Sequence, residues 1–498
     1  MIYNIIYNIL SCVIIFSDIY KDKMVRILIV FFTLGILVSC SSKVEKQQAQ
    51  KLREIVIIDT NSLLLSHEYV QNYYAGAYKA VAEINASGGI LGLPLKYITE
   101  ESFGNQLEAY SAMKIALQKY QPLAIMGTYN NAAAKGVARL AKENEIPFLI
   151  TGAATEETIK GYYASPWTFR LRSGVDLNII ALTDVITKAS NVKNAVVITY
   201  SGEEGDYIST NIKEVITKKK PNFIFAKDIR LSLRRGITDS LIKKIEESYA
   251  STLIIVIDPQ ELRNLDALLA GTHLSLEKHI FVMFAGEPEW LDSLGTNDTD
   301  AWRVTGFPWY NINTGNNHKF VKEYKAQYKV TPRYASYLGY IGVKILAQAI
   351  NNAKVTNADL ENRTKIANAL TTVQVNTPLG LVKMRKDHIS NLGVYAGWLQ
   401  ADNKRTQKGN KTYLMLNSKM ADISYFSAEQ YLLNEDESAA NRDKFLSILA
   451  QHYKESERNK RTVNVVDDSN LPNMYKSYIF PDSSAKTSKT ANSNQPTN

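Results

Sequence analysis

Short apolar runs alternate with helix-length amphipathic segments along most of this chain, and that alternation constrains the fold more than any other feature. Residues 55–58 are continuously apolar, which is typical of a strand buried on both faces of a parallel sheet. A helix is predicted over 69–86, because Ala80, Val81 and Ile84 lie at helical spacing, and a strand is predicted over 95–99. Strands separated by helices of this length predict βαβ units and an α/β fold.

The alternation restarts after residues 167–171, which predicts two similarly built lobes. Further strands of the first set are predicted at 123–126 and 147–151, and of the second set at 195–200, 223–226, 253–257 and 280–284. Helices are then predicted over 318–328, 336–352 and 359–370, and a closing pair of strands over 379–384 and 393–399. Beyond residue 400 the pattern loosens, and 428–453 has room for helices.

A double glycine separates the first predicted helix from the second predicted strand. Gly88 and Gly89 supply the positive φ angles that the C-terminal ends of helices favour. Pro94 then precedes an extended segment over 95–98. The stretch 81–95 is therefore interpreted as a helix end, a glycine turn and the start of a strand.

Composition and charge exclude several classes of function. The 498 residues are enough for two domains, and 45% hydrophobic with 21% charged residues is typical of a soluble globular protein. The net charge is +9, but the basic residues are scattered. The densest run, residues 218–220, lies at a predicted helix end and contains no aromatic side chains, so no nucleic-acid partner is predicted.

The N-terminal region carries targeting information. A basic start at 24–26 and an apolar run at 27–37 precede Leu-Val-Ser-Cys-Ser-Ser, which resembles a bacterial lipoprotein signal with Cys40 as the lipidated residue. The apolar run is shorter than the roughly 20 residues that span a bilayer. We therefore expect attachment to the membrane through a lipid on Cys40, on the extracytoplasmic side of a bacterial envelope. Cys12 is the other cysteine, so no disulfide is expected in the mature chain.

No pattern in the sequence supports catalysis, a metal or a cofactor. The six histidines form neither HxxxH nor HxH, and nucleophile-elbow, phosphate-loop and dinucleotide motifs are absent from the sequence. Paired carboxylates such as Glu100-Glu101 and Glu203-Glu204 lie on different predicted elements. We therefore predict a binding protein and not an enzyme.

Polar residues follow the predicted strands, where open α/β sheets bind ligands. They occupy 127–131, 151–155, 200–202, position 258 and 285–287. Asn131 and Thr155 are interpreted either as helix N-caps or as donors to a ligand carboxylate. Asp258 and Glu287 suit an ammonium group, so together the two sets match an α-amino acid.

The chain resembles the type I periplasmic binding proteins of the leucine/isoleucine/valine-receptor kind, which are solute receptors of ABC importers. The resemblance covers about residues 54–400. The most specific segment is GAYKAVAEINASGGILGLPLKYI from Gly76, followed by AIMGTYNNAAAKGVARLAKENEIPFLITGAAT over 124–155. WTFRLRSGVDLN, VVITYSGEEGD and PLGLVKM match more loosely.

The resemblance implies a set of ligand contacts. On the first lobe they are Asn130, Asn131, the backbone at Ala153, and Thr155, for a carboxylate. On the second lobe Glu287 meets the ammonium group, and Asp258 lies near a further polar or aromatic contact. The family's Ser-Ser pair is Asn130-Asn131 here, and its Tyr-Gly is Glu204-Gly205, with Tyr200 or Tyr207 as the replacement aromatic wall.

The resemblance also implies two Rossmann-like lobes with parallel sheets flanked by helices, joined by a three-segment hinge near 169–173, 306–310 and 375–378. Closure of the lobes on a ligand precedes docking on a membrane permease. The expected organisation is a leader and lipoprotein signal (1–39), a tether (40–53), lobe 1 (54–172 with 308–375), lobe 2 (173–307 with 376–400), a C-terminal extension (401–482) and a disordered tail (483–498).

The leading hypothesis is a solute-binding lipoprotein of an ABC importer for an amino acid or a similar small polar solute. The alternative is a non-transport lipoprotein of the same fold that binds a protein partner, such as a cell-wall synthase activator, or that acts as a sensor. The extension over 401–498 favours this alternative.

We expect translation to begin at Met24, because the apolar leader over 1–23 places a second hydrophobic segment before the lipoprotein signal. N-terminal peptide mapping of the unprocessed precursor measures this directly. Peptides from residues before Met24 would contradict the expectation.

Overall fold

The structure is a computed structural model that describes residues 53–62, 67–152, 154–232, 237–270, 272–291, 302–357, 360–401, 404–408, 411–415, 418–431 and 435–459. Several predictions fall outside these residues: the leader and lipoprotein signal at 1–39, Cys40, nearly all of the tether at 40–53, Ala153 and the tail at 483–498.

The first sheet is built from continuously apolar strands. It contains β1 (Ile55–Asn61), β2 (Leu95–Glu101), β3 (Ala124–Gly127), β4 (Phe148–Ile150) and β5 (Thr168–Arg170). The strands are parallel, in the order β2-β1-β3-β4-β5. In β1, Ile55 and Ile57 join the core on one face, and Val56 and Ile58 join the core on the other. Burial on both faces explains why this run lacks polar residues.

The second sheet combines parallel and antiparallel strands. The remaining strands are β6 (Asn194–Tyr200), β7 (Ile224–Leu231), β8 (Thr252–Ile255), β9 (His279–Gly286), β10 (Arg303–Gly306), β11 (Gln374–Thr377), β12 (Gly380–Lys383), β13 (Val394–Ala401), β14 (Lys404–Lys408), β15 (Lys411–Met415) and β16 (Ser418–Phe426). The sheet order is β16-β13-β10-β9-β8-β6-β7. β6 to β10 run parallel to one another. β13 is antiparallel to its neighbour β10, and β16 is antiparallel to β13.

Helices cover the sheets. They are α1 (His67–Ala86), α2 (Gln106–Tyr120), α3 (Asn131–Glu143), α4 (Val175–Lys188), α5 (Glu203–Lys219), α6 (Asp239–Glu246), α7 (Pro259–Ala270), α8 (Leu274–Glu277), α9 (Pro288–Leu291), α10 (Gly315–Tyr328), α11 (Tyr334–Ala353), α12 (Leu360–Leu370), α13 (Ala428–Tyr431) and α14 (Glu435–Asn459). α1 and α11 pack on one face of the first sheet, and α2 and α3 on the other. Among the described helices, none has the length and apolar character needed to cross a membrane.

The two closing strands predicted over 379–384 and 393–399 do not pair with each other. β12 instead forms a hairpin with β11, which the sequence reasoning missed, and β13 pairs with β10 and β16. Thr377 stabilises the hairpin turn, since its Oγ1 accepts from Leu379 N at 3.0 Å and donates to Gly380 O at 2.8 Å. The apolar pattern of β11 is weak, and the hydrogen bonds of Thr377 hold the turn of the hairpin instead.

Part of the predicted C-terminal extension belongs to the second sheet. β16 pairs along β13 from Val394–Phe426 to Ala401–Ser418. The Arg385 guanidinium donates to Ala428 O at 3.1 Å, and Phe445 of α14 is fully buried. The loosened pattern beyond residue 400 therefore does not mark the end of the folded body.

The predicted glycine turn is confirmed. α1 ends at Ala86, and Gly88 and Gly89 have φ angles of 96° and 78°. Gly89 N donates to Ile84 O at 2.9 Å, which closes the helix end. The Asn85 side chain then bonds both backbone groups of Leu95, at 2.8 and 2.9 Å, and so ties the helix end to the start of β2.

Two glycines allow α1 and α11 to approach closely. A Cβ on Gly76 would lie 1.9 Å from Ser336 O, and one on Gly339 would lie 2.2 Å from Tyr73 O. Both contacts are with backbone of the opposing helix, which cannot rotate away. The contact between these two 20-residue helices therefore requires glycine at both positions.

We expect Gly339→Ala to destabilise the protein by about 1–3 kcal/mol, because the added methyl group forces the two helix backbones apart. Urea unfolding measures the difference. Gly315→Ala is the matched control, since a Cβ there meets no atom within 4 Å. Equal stability of the two variants would contradict the close-approach argument.

Candidate functional site

The carboxyl ends of strands from both sheets face one cavity of about 740 Å³. This volume lies within the roughly 300–1,000 Å³ range of ligand pockets. The first sheet and its connections contribute Glu68, Tyr129, Asn130 and Arg172 to the wall. The second sheet and its helices contribute Thr199, Tyr200, Ser201, Gly202, Glu203, Glu204, Gly205, Ile208, Val256, Ile257, Asp258, Pro259, Gln260, Arg263, Phe284, Glu289 and Trp290. The cavity therefore lies where the strand-end rule places a ligand.

Asn130 lies on the cavity wall and also caps α3. Its Oδ1 accepts from Ala133 N at 3.0 Å, and its Nδ2 donates to Gly104 O at 2.8 Å. Both ends of the amide are therefore used to begin the helix and to hold the preceding loop.

Asn131 and Thr155, which were both predicted to follow strands, bond to each other. Asn131 Oδ1 accepts from the Thr155 backbone N at 3.1 Å and from its Oγ1 at 3.2 Å. Both side chains are buried, at 5% and 3% exposure. Both hydrogen-bond donors of Thr155 are therefore bonded within the protein. Neither Asn131 nor Thr155 lines the cavity.

Asp258 and Tyr200 form the second-sheet side of the wall. Asp258 Oδ1 accepts from Glu261 N at 2.9 Å, which caps α7, and its Oδ2 accepts a short hydrogen bond from the Tyr200 hydroxyl. Of the two tyrosines proposed as a replacement aromatic wall, Tyr200 lines the cavity and Tyr207 is not among the lining residues.

Glu287 lies behind the cavity in a buried ion pair with Arg172. Arg172 donates to Glu287 Oε1, and each side chain is only 4% exposed. Burial raises the pKa of Glu287 to about 7, with the nearby Arg172 acting in the opposite direction. The Arg172 guanidinium also lies 5.3 Å from the Phe284 ring centre and 5.1 Å from that of Tyr334. The predicted ammonium acceptor therefore already has a cationic partner.

Glu289 is a cavity residue that the sequence reasoning missed. Its Oε1 accepts from Ala335 N at 3.1 Å, at the start of α11, whereas its Oε2 is buried without a hydrogen-bond partner. Burial raises the pKa of this carboxyl group. Glu68 faces the same cavity and forms an ion pair with Arg333 at 2.8 Å.

Lys135 joins the helices of the two sheets across the cleft. Its Nζ lies 2.7 Å from Glu157 and 2.6 Å from Glu203, and its side chain is 6% exposed. A lysine in an alanine-rich helix gave no sequence signal for this role. The position of Arg172 did give a sequence signal, because Arg172 lies in the hinge segment predicted at 169–173.

Buried polar groups lie at the carboxyl end of β1. Asp59 is fully buried, and it accepts from the Tyr73 hydroxyl and from Asn61 Nδ2, both at 2.8 Å. Tyr73 also accepts from Thr151 Oγ1 at 3.0 Å. Burial raises the pKa of Asp59 to about 7 against the opposing hydrogen bonds.

The site has the chemistry of binding. Carboxylates, aromatic rings and one buried guanidinium surround a cavity large enough for a small organic solute. Across the described ranges, no group of three His, Cys, Asp or Glu residues is arranged to hold a metal ion.

Comparisons with known proteins identify a family that matches most of the chain. The sequence pattern of the family described as periplasmic binding protein matches residues 66–403. A comparison with curated proteins gives no significant match.

Solved structures show the same fold. LivJ, the branched-chain amino acid transporter substrate binding protein of Streptococcus pneumoniae, in complex with isoleucine, is 16% identical; the match covers 74% of this chain and 99% of that one, with a TM-score of 0.60. The leucine-, isoleucine-, valine-, threonine- and alanine-binding protein of Brucella ovis is 17% identical over 77% and 98% of the two chains, with a TM-score of 0.63. A solute binding protein of R. palustris in complex with benzoate is 16% identical over 74% and 98%, with a TM-score of 0.60. The predicted type I periplasmic binding protein fold is confirmed.

We expect stability to fall as pH rises from about 4 to 7 through Asp59. Its pKa is about 7 when folded and 3.8 in the reference state, so the folded protein retains a proton that the unfolded chain loses in this window. The full effect is on the order of 4 kcal/mol. Asp59→Asn removes the titrating group and so this pH dependence. The free energy of unfolding of this variant, relative to that of the unmodified protein, should therefore rise between pH 4 and pH 8 in urea unfolding.

Asp239→Asn, at an exposed position, is the control and should show no such trend. If Asp59→Asn shows the same pH dependence as the control, Asp59 does not hold a proton in the folded protein.

Proposed function

The chain belongs to the periplasmic binding protein family, and on this premise we propose that it is the extracytoplasmic solute receptor of an ABC importer, tethered by a lipid on Cys40. Its solute is an amino acid or a similar small polar molecule, bound between the two sheets. The observation that carries this proposal is the cavity at the carboxyl ends of both sets of strands.

The proposed cycle is closure of two lobes on the solute, followed by docking on a membrane permease. Lys135 supports it, because an ion pair from α3 to Glu203 of α5 bridges the cleft and holds the two sides together. Exclusion of water on closure strengthens the few charge-assisted hydrogen bonds to the solute.

The residues inferred from the family remain part of the proposal. Asn131, Ala153 and Thr155 serve a carboxylate, which requires the bonds between Asn131 and Thr155 to rearrange on binding. Glu287 serves an ammonium group through Oε2, which is buried and has no hydrogen-bond partner within the described ranges. Asn130 and Asp258 form the wall on either side.

We expect a thermal-shift screen against the standard amino acids to detect at least one stabilising ligand. Saturation at about 100 times Kd stabilises the folded state by roughly 2.7 kcal/mol. Glu287→Gln and Thr155→Ala should weaken binding of that ligand, whereas Thr217→Ala, at an exposed site on α5, should leave it unchanged. Absence of any shift, or equal binding by all variants, would remove the amino acid from the proposal.

A further inference from the structure

The last two described helices, α13 and α14, follow the final strand of the second sheet. Ala428 of α13 shares a small core with Leu177 of α4 and Ala396 of β13. The start of this C-terminal segment is therefore anchored to the second sheet. Both helices lie beyond residue 403, where the match to the family pattern ends, so the family does not assign them a role.

The first sheet provides the surface that these helices contact, residues 383–389. Met384 joins the core on one face of this sheet, and Ile389 joins the core on the other. At the end of β5, Arg170 forms a parallel bridge with Ile389, and its backbone N donates to His388 O at 2.8 Å. Residues 383–389 therefore continue the first sheet beside β5.

Two ion pairs join the helices to this segment. Lys383 Nζ lies 2.6 Å from Glu429 Oε1 of α13. Lys386 Nζ lies 2.6 Å from Asp436 Oδ1, in the first turn of α14. All four side chains are accessible to water, so each pair alone is weak. Because the pairs involve successive helices, together they hold both helices against the same part of the first sheet.

A buried hydrogen bond adds to the two ion pairs. Arg385 Nη1 donates to Ala428 O at 3.1 Å, and the arginine side chain is only 2% exposed. Asp387, which is fully buried, accepts from Nε of the same guanidinium at 3.2 Å and from Nη2 at 2.9 Å. A hydrogen bond from a charged group in a buried place is stronger than an exposed ion pair. Arg385 therefore contributes more to this contact than either ion pair does.

One face of α14 is buried. Ser438, Arg442 and Phe445 lie at helical spacing and are at most 6% exposed. Burial lowers the pKa of His388 well below its usual value, and the positive charge of Arg442 acts in the same direction. Arg442 thus lies near His388, which places this face of α14 next to residues 383–389.

These contacts are separate from the peptide connections between the sheets. The chain passes from one sheet to the other after β5, after β10 and before β13. The contacts of α13 and α14 add a fourth connection, which is made by side chains. None of the residues described in these contacts lines the cavity, so this connection is not part of the solute site.

We propose that α13 and α14 form a strap that restrains the angle between the two sheets. The strap is anchored to the second sheet through Ala428 and is held to the first sheet by Lys383, Arg385 and Lys386. A hinge motion between the sheets has to stretch or break these contacts. The proposal goes beyond the solute-receptor function, because it concerns the free protein and does not depend on which solute binds.

Double electron–electron resonance on the solute-free full chain measures the distance between the sheets. Spin labels replace Gln118 of α2 and Thr217 of α5, which are both exposed. Glu429→Lys combined with Asp436→Lys turns both ion pairs into repulsions. We expect the fraction of molecules outside the distance range of the unmodified protein to increase about 2- to 30-fold, the factor that two surface ion pairs contribute.

A restored variant and a control accompany this measurement. Adding Lys383→Glu and Lys386→Glu to the charge-reversed variant again places opposite charges together, so the distance distribution should return to that of the unmodified protein. Asp239→Lys combined with Glu246→Lys, at exposed positions of α6, makes the same change in net charge away from the strap. This control should leave the distribution unchanged.

An unchanged distribution in the folded charge-reversed variant would overturn the strap. Equal broadening in the α6 control, or failure of the restored charges to reverse the effect, would also overturn it. If circular dichroism shows that the charge-reversed variant does not fold, Glu429→Gln combined with Asp436→Asn removes the pairs without repulsion. This variant should change the distribution in the same direction, and no change there would contradict the proposal. Because the measurement uses no solute, its outcome is independent of the amino-acid screen.

Discussion

Burial of the parallel strands on both faces is the constraint on which the rest of this structure depends. Ile55 to Ile58 deliver side chains alternately to two cores, so a polar side chain within this run would lose its hydrogen bonds to water. In β1 the polar side chains therefore follow this run, at the carboxyl end of the strand, where Asp59, Thr60 and Asn61 lie. Because both sheets present those ends to one cavity, the site follows directly from how the cores are built.

At the strand ends, several polar groups bond to one another. Asn131 accepts from Thr155, Asp258 accepts from Tyr200, and Arg172 pairs with Glu287. The first two bonds each join strand ends of one sheet, and the Arg172–Glu287 pair joins the two sheets. The chemistry available to a solute is therefore what remains after the fold has satisfied its own helix ends and crossings.

Sequence patterns predicted the regular parts of the fold well. The helix end at Ala86, the turn at Gly88 and Gly89, and the strand that begins at Leu95 were all predictable, because backbone conformation and local apolar spacing determine them. β11 and β16 were missed. Half-polar strands at an edge or in a hairpin carry little periodic signal, and their stability comes from pairing with distant residues.

For the site, the sequence identified the strand ends but not the partners. Asn130 and Asp258 were predicted and line the cavity, whereas Lys135 and Glu289 were missed. Their roles depend on residues more than 40 positions away, such as Glu203 for Lys135 and Ala335 for Glu289. The sequence by itself determined the alternation of strands and helices, the glycine turn and the family, since these rest on local conformation and apolar periodicity. Only the tertiary structure decided which carboxylates are neutralised and which face the cavity, because ion pairs depend on distances between groups that the chain brings together only when it folds.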